Sequence, residues 1–317
     1  MTTATILLLE PFPETLLRQL TADQPQCQIV DGRAPEVRER MLKEAVIAYG
    51  SPALDLLPGA TKLRWVQMIY AGVPQEWCPV AKERGLTVTN MAGLYGPSIA
   101  EHAIAMMLIL GRNLHIVQRN QAAGKWDRSV MTTMRDLHGR TLALVGLGNI
   151  GQNIARLAGA HGMRVIGCRR TNRITPFVDR LYPVSEMLAM FAEADYVAVA
   201  APLTRHTEDM LGPKEFAAMK PGTIYINVSR GAVAQERALL DALHTGRVAA
   251  AGLDVFAIEP LPTGHPFWSM PQVLVSPHFS GEIINQSGLP AERFVRNVAS
   301  WFASKELEGQ VNLDFGY

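Results

Sequence analysis

Cysteine is scarce. The chain of 317 residues holds three, Cys27, Cys78 and Cys168, far apart and in no CxxC or metal-ligand spacing. That argues against a disulfide framework, and reduced thiols in a cytoplasm are the simplest expectation. An excess of either charge is also missing: 30 Lys and Arg stand against 29 Asp and Glu, a net +1 at pH 7. With no basic run or basic helix, a nucleic-acid surface is not expected. No stretch of roughly 18 apolar residues exists, so no membrane span is expected. The apolar part of the start is only Ile6 to Leu9, without a basic lead, and reads as a strand rather than a signal peptide. Low-complexity segments and repeats of solenoid period are absent.

What is present is an alternation. Length points to about two domains of ~150 residues, and 48% hydrophobic residues can fill substantial cores. Thr5–Leu9, Gln28–Val30, Ala45–Tyr49, Trp65–Tyr70 and Leu86–Thr89 read as strands, with helical stretches at Glu14–Leu20, Glu36–Glu44 and Pro74–Glu83. Ser98, with Glu101 three residues on, forms a capping box opening a long helix to about Gln121, weakest at Gly111. The wide apolar face of that helix suits packing between domains or against a second subunit. A second series of six strands follows: Thr141–Val145, Arg164–Cys168, Tyr196–Val199, Thr223–Asn227, Ala249–Asp254 and Val273–Val275. Helices read at Asn149–Ala160, Ser185–Ala192, Pro213–Ala218 and Gln235–Thr245, and a last one at Pro290–Ser304. Strands alternating with helices imply parallel sheets, the second series fitting a doubly wound dinucleotide fold.

Gly146-Leu147-Gly148-Asn149-Ile150-Gly151 lies between the strand ending at Val145 and the helix beginning at Asn149. That context gives a GxGxxG its meaning. The first Gly permits a tight turn, the second lets backbone approach a pyrophosphate, and the third lets helix and strand pack closely. The helix N-terminus, with Asn149 and Ile150, offers N–H groups and partial positive charge to phosphates. About 20 residues on, an NAD site places an acid for the ribose hydroxyls. Here Arg169 and Arg170 stand instead, with Thr171, Asn172 and Arg173 behind. Guanidinium groups pair with a 2′-phosphate that a carboxylate would repel, so NADP(H) is preferred over NAD(H).

Three further motifs supply chemistry. Arg230 sits in Asn227-Val228-Ser229-Arg230-Gly231, Glu259 in Asp254-Val255-Phe256-Ala257-Ile258-Glu259-Pro260, and His278 in Ser276-Pro277-His278-Phe279-Ser280-Gly281. A guanidinium can hold a carboxylate in a fork of two hydrogen bonds. An imidazole can pass a proton to a carbonyl oxygen, and an acid beside it orients the ring and favours its charged form. Any one of these in isolation has a structural reading. His102, on the long helix, reads as a packing or capping partner.

With the Gly-rich loop, the ordered Arg, Glu and Pro-His motifs resemble the D-2-hydroxyacid dehydrogenase family, over nearly the whole chain. The resemblance implies a Rossmann cofactor domain, residues 99–283, inserted into a discontinuous flavodoxin-like substrate domain, residues 1–98 and 284–317. It implies reversible NADPH-dependent reduction of a small 2-oxo acid, of the glyoxylate or hydroxypyruvate kind, to the D-2-hydroxy acid. Arg230 would bind the substrate carboxylate, His278 give the proton and Glu259 support it. Pro202, Thr207, Val228, Asp254 and Ser280 would join the cofactor site, and Tyr70, Ala71, Gly72 and Val73 the substrate loop. Leu94, Tyr95 and Trp268 are further pocket candidates. A homodimer in the cytoplasm is expected, with no metal. A dinucleotide-sensing corepressor-like protein, or a short phosphoglycerate dehydrogenase, is the alternative.

Overall fold

The computed structural model describes residues 4–74, 76–171, 174–282 and 288–314. The chain divides into two compact units, Met1–Tyr95 with Ile283–Tyr317, and Gly96–Glu282. In the first unit β1 (Ala4–Leu8), β2 (Cys27–Asp31), β3 (Ala45–Tyr49), β4 (Trp65–Gln67) and β5 (Thr87–Thr89) form one parallel sheet in the order β2-β1-β3-β4-β5. This is the flavodoxin-like order.

The pleat sends alternate residues to opposite faces, so each strand serves two cores. Leu7, Ala48, Val66 and Val88 pack in one cluster. Ile6, Leu8, Ile47, Tyr49 and Trp65 pack in another, against Ala291, Phe294, Val295 and Val298 of the helix Gly288–Phe302. Phe294 stands 4.9 Å from the Tyr49 ring and 5.4 Å from that of Trp65, while Trp301 stacks on Trp65 at 5.5 Å. These aromatic contacts tie the last helix to strands far earlier in sequence, which makes the unit discontinuous.

The second unit carries β6 (Thr141–Val145), β7 (Arg164–Cys168), β8 (Arg180–Tyr182), β9 (Tyr196–Val199), β10 (Thr223–Asn227), β11 (Val248–Leu253) and β12 (Val273–Val275). Their order is β12-β11-β10-β9-β6-β7-β8, every pair parallel. This is a Rossmann sheet with one strand beyond the usual six. β8 is the strand the sequence reading lacks. Its three residues include Arg180 and sit at the sheet edge, so no apolar run announces it.

Two helix expectations need correction. The first long helix already runs at Gly96, with Pro97 in its opening turn, so Ser98 and Glu101 lie inside it and form no capping box. It ends at Gly111, and a second helix, Leu114–Ala122, follows Asn113, whose φ is 54°. The Asn113 side chain donates to Val130 O and Thr133 Oγ1, both at 2.8 Å, which stabilises this left-handed break. The apolar face of the first helix packs within its own unit, on the helix Asn149–Ala160 and on β10 and β11. A Cβ on Gly96 would lie 1.9 Å from Asn149 Oδ1, so any other residue there would force the Asn149 side chain to shift. Among the described residues no helix is long and apolar enough to cross a membrane, and no cluster of His, Cys, Asp or Glu could hold a metal.

Tyr225, in the middle of β10, is wholly buried, and its hydroxyl has no hydrogen-bond partner among the described residues. Burial alone pushes its phenol pKa upward. Removing an unpaired buried hydroxyl removes a desolvation cost, so Tyr225→Phe should keep or raise stability, by up to about 1 kcal/mol. Urea unfolding measures it; a loss of that size would mean the hydroxyl is bonded.

Candidate active site

Parallel pairing lines up the strand ends of the second unit. Cys168 pairs with Val145, Val145 with Val199, Val199 with Asn227, Asn227 with Leu253 and Leu253 with Val275. The residues that follow each strand therefore emerge along one edge, the carboxyl edge where open α/β sheets keep their ligands.

The three loop glycines do three different things. Gly146 has φ 94°, and a Cβ there would come within 2.6 Å of the Ala201 nitrogen. A Cβ on Gly151 would sit 2.1 Å from the Gly146 carbonyl oxygen, so the helix Asn149–Ala160 could not approach its strand. Gly148 is exposed, has an ordinary φ of −74°, and a Cβ there would meet nothing within 4 Å among the described residues. The open space lies where a ligand backbone contact is expected, beside the exposed Asn149 and half-buried Ile150. The loop thus fits a dinucleotide pyrophosphate on chemistry and on space.

Beyond β7 the expected acid is replaced by the half-buried Arg169 and the exposed Arg170. Arg169 Nη1 donates to Thr175 Oγ1 at 3.3 Å. Asp179, the next acid in the chain, accepts the Val165 N–H at 2.7 Å and so is committed to the sheet. Asn172 and Arg173 lie outside the described residues. After β9, Pro202 is exposed. Thr207 Oγ1 donates to Pro202 O at 2.6 Å and takes the Thr204 N–H at 2.8 Å, so this hydroxyl closes its own turn.

The Arg loop is braced by a residue the sequence reading passed over. Asn227 Oδ1 accepts the Ser229 N–H and hydroxyl at 3.0 and 2.9 Å, and its Nδ2 donates to Arg230 O at 3.1 Å. Val228 is buried, while Arg230 is exposed and donates to Ser229 O at 2.7 Å. A Cβ on Gly231 would lie 2.0 Å from the Phe256 carbonyl carbon. Glycine there lets the Arg loop press against the segment leading to Glu259.

Glu259 uses both oxygens. Oε1 accepts the Phe256 N–H at 2.9 Å, and Oε2 meets His278 Nδ1 at 2.6 Å. The His278 backbone is left-handed, φ 52°, a conformation that needs outside support in a non-glycine residue. Asp254 gives it. Asp254 has no exposed surface and accepts from Ser276 Oγ at 2.5 Å, Phe279 N at 3.1 Å and Ser280 N at 3.0 Å. Ser280 is itself buried. The sequence reading found Asp254 and Ser280 but not this clamp, nor Ser276 within it.

In the other unit, the Tyr70-Ala71-Gly72-Val73 turn is held from below. Asn90 Nδ2 donates to Ala71 O at 2.6 Å, and the Tyr70 hydroxyl meets Ser51 Oγ at 2.5 Å. The buried Arg293 donates to Asn90 O and Ala92 O at 3.1 and 2.8 Å. Tyr95 donates to Ile69 O at 3.0 Å. Leu94 is half-buried, and Trp268, in the Rossmann unit, is exposed with its indole N–H on Pro262 O.

The glycine geometry makes a paired prediction. Gly151→Ala should cost about 2 kcal/mol or more, because a backbone carbonyl cannot yield as a side chain can. Gly148→Ala should stay within about 0.5 kcal/mol of the parent. Thermal unfolding distinguishes the two, and equal losses would refute the assignment.

The family model described as D-isomer specific 2-hydroxyacid dehydrogenase, NAD binding domain, matches residues 104–280. A hydroxypyruvate reductase of Thermotoga maritima is 33% identical over 227 residues, 71% of this chain and 72% of that one. A D-3-phosphoglycerate dehydrogenase of Archaeoglobus fulgidus is 30% identical over 285 residues, 87% of this chain but 53% of its own. The chain thus spans about half the length of that relative. Among solved structures, a D-isomer specific 2-hydroxyacid dehydrogenase from Xanthobacter autotrophicus Py2, in complex with NADPH and MES, superposes with a TM-score of 0.86 at 26% identity, covering 99% of this chain and 100% of that one. The family match spans the strand-end loops described above, and the chain belongs to the D-isomer specific 2-hydroxyacid dehydrogenase family.

Proposed function

We propose that the protein reduces a small 2-oxo acid to the D-2-hydroxy acid, reversibly, with NADPH as the preferred donor. One observation carries the reading: Glu259 meets His278 Nδ1 at 2.6 Å, on a loop that abuts the Arg230 loop through Gly231. A bound dinucleotide supplies a hydride to the carbonyl carbon. His278 Nε2 gives its proton to the carbonyl oxygen, so the C=O double bond becomes a C–O single bond with a new C–H and a new O–H, and solvent later restores the imidazole proton. Glu259 holds the ring through Nδ1 and so supports His278 as the proton donor. Arg230 holds the substrate carboxylate and draws electron density from the adjoining carbonyl. The Tyr70–Val73 turn is assigned to substrate recognition, with Gly72 allowing close backbone approach.

The dinucleotide is assigned to Gly146, Gly148, Asn149, Ile150 and Gly151, with Pro202, Thr207, Val228, Asp254 and Ser280 along the same edge. Arg169 and Arg170 are assigned to the 2′-phosphate. Their position after β7, the commitment of Asp179 to the sheet, and the NADPH held by the Xanthobacter relative support this. The phosphoglycerate dehydrogenase likeness brings a phosphorylated 2-oxo acid into the substrate panel.

Initial rates with NADPH and NADH, against glyoxylate, hydroxypyruvate, its 3-phosphate, pyruvate and phenylpyruvate, test the reading. Turnover with kcat/KM favouring NADPH is expected, and Arg170→Glu should cut that preference roughly tenfold or more. Preference for NADH in the parent would discard the phosphate assignment. Dinucleotide binding with no turnover on any 2-oxo acid would discard the reductase in favour of a sensor.

Glu259→Gln isolates the role of the acid. Its amide oxygen can still accept the Phe256 N–H, but its NH2 then faces Nδ1 and forces that nitrogen to accept. A fall in kcat/KM on the order of 10²-fold is expected. Both directions must fall together, because the reaction's equilibrium constant is fixed. A variant within twofold of the parent would remove Glu259 from the mechanism.

A further inference from the structure

We propose that His102 is a positioning residue for the His278 loop, acting through Ser276 and Asp254. The proposal rests on the reading of His278 as proton donor. His102 lies on the helix Gly96–Gly111, and its Nε2 stands 3.1 Å from Ser276 Oγ and 3.8 Å from Asp254 Oδ1.

The direction of each hydrogen bond follows from counting protons. Asp254 takes the backbone N–H groups of Phe279 and Ser280, so both its oxygens act as acceptors. The single proton of the Ser276 hydroxyl therefore points to Asp254 Oδ1, at 2.5 Å. A hydroxyl that has given its proton can only accept from a second partner, so His102 Nε2 carries hydrogen and donates to Ser276 Oγ. The chain runs from imidazole N–H to hydroxyl to buried carboxylate. Burial lowers the His102 pKa, the Asp254 charge opposing it, which fits a neutral ring holding one tautomer.

This chain ends on the two amides that follow His278 and on the serine two residues before it. It therefore grips both sides of a residue held at φ 52°. The His102 ring also packs edge-on against Phe279, with ring centroids 5.1 Å apart. Without the imidazole donor the Ser276 hydroxyl is free to turn from Asp254. The carboxylate then loses an acceptor bond, and the left-handed turn loses one of its supports. His278 Nδ1 would no longer be held at one distance from Glu259, and misplacement of about 1 Å at a reacting group costs on the order of 10²-fold in rate.

The test compares His102→Leu with His102→Gln, whose amide can still donate to Ser276 Oγ, in the full chain. Ser276→Ala breaks the same link from the other side and serves if His102→Leu does not fold. Amide hydrogen exchange at Phe279 and Ser280 is read beside kcat and KM, with thermal unfolding as the check on folding. For His102→Leu and Ser276→Ala we expect faster exchange at both amides, and kcat lowered ten- to a hundredfold. The KM for the 2-oxo acid should stay within about twofold, and His102→Gln should recover most of both losses. Unchanged exchange and kcat in a folded His102→Leu chain, or a His102→Gln chain as impaired as His102→Leu, would overturn the proposal. If the parent chain turns over no 2-oxo acid, the proton-donor reading of His278 fails. Amide exchange alone then decides whether His102 holds the loop.

Discussion

The in-register ending of six parallel strands is the constraint on which the candidate site rests. Because Cys168, Val145, Val199, Asn227, Leu253 and Val275 pair in a row, every loop of interest leaves the sheet at one level. Adjacent strands lie ~4.8 Å apart, so the step from β7 to β10 spans roughly 14 Å. Two arginines stand at one end of that rail, and Arg230, Glu259 and His278 follow the strands at the other. A slip of one residue in any parallel pair would turn the side chains of that strand to the opposite face and dismantle the row.

Register alone leaves a loop free to move, and the chain adds a local device at each point. Asn227 and Asp254, both buried, give their side-chain acceptors to loop backbone, Asn227 to the loop that follows its own strand and Asp254 to the loop that follows the neighbouring β12. A buried polar group without partners is costly, so each residue is stable only while its loop keeps its shape. The coupling runs both ways: the loop satisfies the side chain, and the side chain fixes the loop. Asn90 holds the Tyr70–Val73 turn in the opposite sense, its side-chain amide donating to Ala71 O, and is steadied by the buried guanidinium of Arg293. The side chains assigned to chemistry can then stay exposed on rigid backbone.

The strand-helix alternation was legible because apolar runs such as Thr223-Ile224-Tyr225-Ile226-Asn227 stand between clear breakers, and several element bounds follow directly from them. The Gly-rich loop and the Arg, Glu and His motifs were legible because each is a local string. What escaped was short or non-local. β8 has three residues and a charged first position. The start of the first long helix was misread because the Ser98 and Glu101 pattern is a capping box only if nothing upstream is already helical. His102 and Ser276 meet across 174 positions of sequence, and no local pattern reports such a pair. Gly231 was visible as a letter, but the Phe256 backbone that demands it was not.

The open space above Gly148 and the crowding at Gly146 and Gly151 describe one loop with two kinds of intolerance. Two of its glycines answer to the protein's own backbone, so selection for folding alone would preserve them in a chain that had lost every ligand. The middle one is under no such restraint. Its persistence or drift in descendants of this chain would record whether anything still occupies the loop, long after the outer glycines had ceased to be informative.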